Sequence, residues 1–162
     1  MPVTLRPAAA GDRQLINNIY NLYQNDLGEY CGDFTYLDEN GYFDIDASRD
    51  VLPFGDGVFA YIIENDGKNT GLVMVTDSRY ALPQGDFKIE EMYIVRPQRK
   101  KGVAKAALKQ IFDIYKGRFC LSVYKKNLPA RVFWEKIVSE FGSGLTVSEG
   151  EADMLDFLFE VK

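Results

Sequence analysis

The chain predicts a mixed α/β fold, one β-sheet of about seven strands flanked by helices. Three observations carry that prediction. Segments whose apolar residues recur at helical spacing alternate with short β-rich runs. Turn signals punctuate the boundaries between them. No run of about 18 consecutive apolar residues occurs, so the 46% hydrophobic content is expected to build a core and not a membrane span. At 162 residues the expectation is one domain over residues 1–162.

Val3-Thr4-Leu5 reads as a first strand. Asp12 suits the N-cap of a helix whose stripe is Leu15, Ile16, Ile19, Tyr20, Tyr23 and Leu27. Residues 31–57 are rich in Gly, Asp and aromatics, including Tyr30 at their edge, Phe34, Tyr36, Tyr42 and Phe43. Such a stretch suits an ordered loop or short helix over a cleft. Val58 to Glu64 and Gly71 to Thr76 are β-rich and joined by Asn65-Asp66-Gly67, a hairpin signal. A strand at Phe87 to Val95 precedes a helix from about Gly102 to Lys116, with Val103, Ala107, Ile111 and Tyr115 facing inward. Arg118 to Tyr124 is the next strand. Pro129 fits the first turn of a helix expected to bury Phe133, Ile137 and Phe141. Leu145 to Ser148 and Met154 to Val161 complete the order as strands.

Composition excludes several chemistries. The chain has no histidine, so His-dependent triads, His-ligated zinc or haem and imidazole bases are ruled out. Cys31 and Cys120 are its two cysteines, too few for a four-cysteine zinc site. No metal is expected. Two unpaired thiols suit a reducing compartment, and the start of the chain shows no apolar leader, so a cytoplasmic protein is expected.

The net charge of −5 hides a segregation. Residues 26–56 hold nine acids and one base, a charge of −8. Residues 96–136 hold twelve bases and two acids, a charge of +10. Such a pattern suits an anionic ligand at one place and a cationic one at another.

The segment from Ile89 to Ala104 is the most informative. A strand ends, and the cationic turn Arg99-Lys100-Lys101 opens a helix at Gly102. Free amides and the positive end of the helix dipole favour a phosphate there. Neither a Gly-Lys-Ser/Thr loop nor the dinucleotide glycine spacing is present. The run Arg99-x-x-Gly102-x-Ala104 resembles the signature of the GNAT superfamily of acyl-CoA-dependent N-acetyltransferases. A second stretch, Asn127-x-x-Ala130-x-x-Phe133-Trp134-Glu135-Lys136, is similar to the family's motif on the helix after the fifth strand, and the element order matches over nearly the whole chain.

The resemblance implies a GNAT-like fold with acetyl-CoA as co-substrate. It implies pantetheine contacts from the strand at Met92, Tyr93 and Ile94, and a pyrophosphate on the amides of Lys100, Lys101, Gly102, Val103, Ala104 and Lys105, with Arg99 in the signature. It implies a cofactor contact from Asn127, and a phosphate contact within reach of Lys125, Lys126 or Arg131. Amide formation needs a proton acceptor for the attacking amine. Without histidine a carboxylate is expected: Glu90 first, which shares strand parity with Met92 and Ile94 and which the resemblance matches to a catalytic glutamate of the family, and second its neighbour Glu91, on the opposite face. The family's tyrosine acid is replaced by Trp134, whose indole cannot relay a proton. Another tyrosine, of which Tyr124 is the expected one, or water then protonates the thiolate, unless the protein transfers no acyl group. The acidic stretch corresponds to the acceptor side in the family, so the expected substrate is a small cationic amine, with a peptide or protein amine as the alternative. A non-catalytic acyl-CoA sensor is the reading from another class. No nucleic acid and no membrane partner is expected, and the chain would act as a monomer or homodimer.

Overall fold

The computed structural model describes residues 2–43, 52–81, 83 and 85–162. Seven strands form one sheet in the order β1-β2-β3-β4-β5-β7-β6. They are β1 (Val3–Pro7), β2 (Val58–Asn65), β3 (Lys68–Asp77), β4 (Phe87–Ile94), β5 (Gly117–Tyr124), β6 (Ser143–Glu149) and β7 (Met154–Val161). Three helices accompany them: α1 (Arg13–Leu27), α2 (Val103–Ile114) and α3 (Leu128–Phe141). All neighbouring strands are antiparallel except β4 and β5, which run parallel.

The centre of the sheet is covered on both faces, so its strands read as continuous apolar runs. Leu72 and Met74 of β3 pack with Ile16, Ile19 and Tyr20 of α1. Val73 and Val75 join the larger core built by α2, α3, β5 and β7, in which Ile111, Phe119 and Phe157 are fully buried. The β2–β3 hairpin turns at Asp66 and Gly67, both in the left-handed region (φ 56° and 73°). That is the two-residue turn whose twist matches the flanking strands. Gly71 is required for a different reason. A Cβ there would overlap the carbonyl oxygen of Tyr93 on β4.

Of the acidic, aromatic stretch, residues 44–51 lie outside the described residues. The loop before them closes through a bridge between Leu37 and Phe43, and Asn21 of α1 donates to the Gly41 carbonyl at 3.0 Å. On α3 the buried stripe is Trp134, Ile137 and Val138. The expectation that Phe133 and Phe141 lie in the core is corrected: both are half-buried, because the stripe is rotated toward Trp134 and leaves Phe133 facing the cleft described next. No described helix is long and apolar enough to cross a membrane.

Candidate active site

The site begins where the sheet comes apart. Parallel pairing of β4 with β5 is limited to Phe87 with Phe119 and Lys88 with Cys120. Beyond Lys88 the edge of β4 that faces β5 carries no ladder, leaving its peptide groups to find other partners. The cause is local. The register of β4 against β3 jumps from Met74–Glu91 to Val75–Ile89, so Glu90 is an inserted residue. A bulge of this kind bends the strand that carries it. On the other side, Asn127 caps α3 by accepting from the Ala130 amide at 3.2 Å, which seats the first turn of α3 in the gap.

Two cavities meet in this gap, of about 570 and 620 Å³. Tyr23, Leu27, Met92, Asn127, Ala130 and Phe133 line both. They form the seam between the two halves of one continuous cleft.

The first cavity holds the titratable groups. Glu90, Glu91 and Lys88 come from β4, Tyr124 from β5, Asp156 from β7 and Glu151 from the β6–β7 turn. The bulge overturns the expectation that Glu90 and Glu91 point to opposite faces. Glu90 accepts from Thr76 Oγ1 at 3.3 Å and from Lys88 Nζ at 3.3 Å, and Thr76 shares the parity of Met74 on the α1 side of β3. Glu91 pairs across the sheet with Met74 itself, so the inserted residue brings both carboxylates to one side.

Their environments differ. Burial, and then the neighbouring negative charge of Glu90, push the Glu91 carboxyl up to about 8, against smaller opposing effects of Lys88 and a hydrogen bond from Tyr23. Burial raises Tyr23 well above the ordinary tyrosine range. Burial also raises Tyr124, followed by its hydrogen bond with Cys31. Asp156 accepts from Ser122 Oγ at 2.7 Å.

The second cavity is cationic and rich in amides. Arg96, Arg99, Lys100 and Lys105 line it together with Gly102, Val103 and Ala104. The α2 N-terminus has Gly102 in the left-handed region (φ 79°) and no side-chain cap, and Lys100 is also left-handed (φ 60°). Opposed backbone conformations of this kind turn successive N–H groups into one concavity, which with the helix dipole suits a diphosphate. Arg99 has a structural task as well. Its Nε donates to the Ile94 carbonyl at 2.7 Å, its guanidinium lies 5.1 Å from the Tyr93 ring centroid, and its Nη2 reaches Asp26 at 2.6 Å. Arg96 meets the other oxygen of Asp26, also at 2.6 Å. The two arginines hold the Asp26 carboxyl below its usual range, against the opposing effect of burial.

The expected residues therefore separate. Glu90, Glu91, Tyr124, Met92 and Asn127 line the first cavity; Met92, Tyr93, Ile94, Arg99, Lys100, Gly102, Val103, Ala104, Lys105 and Asn127 line the second. Lys101 and Arg131 line neither; Arg131 donates instead to the Lys125 carbonyl at 3.4 Å. The acidic stretch is divided. Asp26 and Glu29 border the cationic cavity, while the carboxylates of the first cavity come from β4, β7 and the turn before β7. Sequence reasoning passed over Tyr23, Lys88, Glu151 and Asp156. Tyr23 reads in sequence as one more member of the α1 stripe, and no local signal separates it from core packing.

A parallel pair that splits beyond Lys88, a bulged central strand and an uncapped helix start with a cationic lining meet at one cleft of the sheet. A family model for the acetyltransferase (GNAT) family matches residues 16–138, and the chain belongs to that family. Solved structures agree in fold over nearly the whole chain. An acetyltransferase from Thermus thermophilus is 15% identical with a TM-score of 0.71, covering 100% of this chain and 98% of that one. The PaiA N-acetyltransferase from Thermoplasma acidophilum, in complex with coenzyme A, is 14% identical with a TM-score of 0.71 and 99% coverage of both chains. Spermidine N-acetyltransferase from Vibrio cholerae, in complex with CoA and spermine, is 19% identical with a TM-score of 0.62, covering 98% of this chain and 95% of that one. A comparison of the sequence with curated proteins found no match.

Proposed function

We propose that the chain, acting as one domain over residues 1–162, transfers an acetyl group from acetyl-CoA to a small cationic amine by direct attack within a ternary complex. The observation that carries this reading is the pairing of two unlike cavities across one seam. The amide-lined, basic cavity suits the phosphates of CoA, with Gly102, Val103, Ala104 and Lys105 supplying donors and Met92 to Ile94 offering strand peptides to the pantetheine arm. The thioester of the bound donor supplies the activated acyl carbon. The other cavity has Glu90, Glu151 and Asp156, besides the protonated Glu91, against the single cation Lys88 among its charged lining residues, which favours a positively charged acceptor. The spermine complex of the Vibrio cholerae enzyme is consistent with an acceptor of that class.

Glu91 is the base of this reading. A carboxyl titrating near 8 accepts a proton at physiological pH far better than an ordinary glutamate, provided it is reached from the acceptor cavity. The negative charge of Glu90, which is bonded to Thr76 and Lys88, sustains that basicity. Cys31 and Cys120 form no disulfide, which suits a reducing cytoplasm.

The test is a thermal shift with acetyl-CoA followed by CoA release over a panel of amines. Stabilisation by acetyl-CoA and turnover concentrated on di- and polyamines support the reading. Turnover confined to neutral or anionic acceptors removes the proposed acceptor class, and the absence of stabilisation removes the donor.

A further inference from the structure

Resting on that reading, we infer that Tyr23 of α1 is the proton donor to the departing thiolate and is recharged by Glu91. Tyr23 lines both cavities, and the residues shared by the two cavities mark the seam where the acyl carbon must pass from donor to acceptor. Glu91, Tyr124 and Glu90, the other titratable groups of the cleft in its electrostatic reach, line the first cavity and not the second. The Tyr23 ring is held by a tilted contact with Tyr93, 5.5 Å between centroids, and its hydroxyl lies within the electrostatic influence of the Glu91 carboxyl.

The groups facing this hydroxyl are Glu91 and Glu90 from β4 and Tyr124 from β5. Tyr124 is occupied differently, since its hydroxyl is engaged with Cys31. Trp134 lines the first cavity with 7% of its surface exposed, but its indole N–H is too weak an acid.

The step balances. The neutral amine, having left its ammonium proton to solvent, forms the C–N bond at the thioester carbon. Glu91 takes one proton from that nitrogen, the C–S bond breaks, and the thiolate takes the phenolic proton of Tyr23. Glu91 then returns its proton to the tyrosinate. The products are the amide and free CoA, and both side chains regain their starting states. A tyrosine raised by burial beside a carboxyl titrating near 8 is kept neutral, ready to donate.

The experiment compares Tyr23→Phe, Tyr124→Phe and the unmodified chain in CoA release with a turned-over amine, in CoA affinity by calorimetry and in the pH profile. Phenylalanine keeps the ring contact with Tyr93, so the fold is retained. Tyr23→Phe is expected to lower kcat about 100-fold with CoA affinity within threefold. It is also expected to move the rising limb of the pH profile upward, because Glu91 loses a donor to its ionised form. Tyr124→Phe is expected to lose less. A kcat for Tyr23→Phe within tenfold of the unmodified chain, a limb that stays in place, or a larger loss in Tyr124→Phe overturns the assignment while leaving the acetyltransferase reading intact. An unmodified chain that releases CoA with no amine overturns both.

Discussion

Replacing Glu91 by glutamine tests both the electrostatics and the chemistry of the cleft. The folded chain holds the Glu91 proton up to about pH 8, against an ordinary 4.5. The unfolded chain releases it near that ordinary value. Between these limits the folded state binds the extra proton, so stability falls as pH rises through the window and levels off above about 8. At about 1.4 kcal/mol per pH unit the full displacement corresponds to about 5 kcal/mol. Water entering the cavity reduces this to about 2–3 kcal/mol. Glutamine has the same shape and no charge to bury, so E91Q escapes the loss. Urea unfolding of both proteins from pH 5 to 9 is the assay, and the difference between them cancels contributions from every other titrating group. E91Q is expected to equal the unmodified chain near pH 5 and to exceed it by about 2–3 kcal/mol at pH 9. It is also expected to lose about 100-fold or more in kcat/KM, whereas the unmodified chain gains rate with pH up to about 8. Parallel stability curves for the two proteins, or an E91Q less stable at pH 9, refute the buried-carboxyl argument.

Two further outcomes follow from named contacts. Glu90→Gln removes the charge that helps hold Glu91 up, so the rising limb of the rate profile is expected to move to lower pH, while CoA affinity measured by calorimetry is unchanged. Gly71→Ala forces a methyl group into the Tyr93 carbonyl oxygen and is expected to cost about 3 kcal/mol in urea unfolding, with CoA binding weakened because β4 must shift.

Much of the fold was legible because it rests on local signals. The α1 stripe, the Asp66-Gly67 turn, Gly102 before α2 and Pro129 in the first turn of α3 are each decided within a few residues, and each is where the spacing puts it. The cationic wall of the cleft was legible for the same reason, since one strand, one turn and one helix start supply its arginines, lysines and glycine. The acceptor half was not. Its carboxylates arrive from β4, β7 and the turn between β6 and β7, and no local pattern relates them.

Sequence by itself thus determined the element order, the family resemblance and, through the absence of histidine, that no imidazole serves as base. Tertiary structure decided how the two glutamates of β4 are placed and in what company. Parity predicts that adjacent glutamates on a strand diverge, but one residue inserted against β3 at Glu90 turns both to the side of α1. Burial there raises Glu91 and places it against Tyr23, sixty-eight positions away in the chain. Strand alternation is a property of neighbouring residues, whereas a bulge and a desolvated carboxyl are properties of what the rest of the chain packs against them.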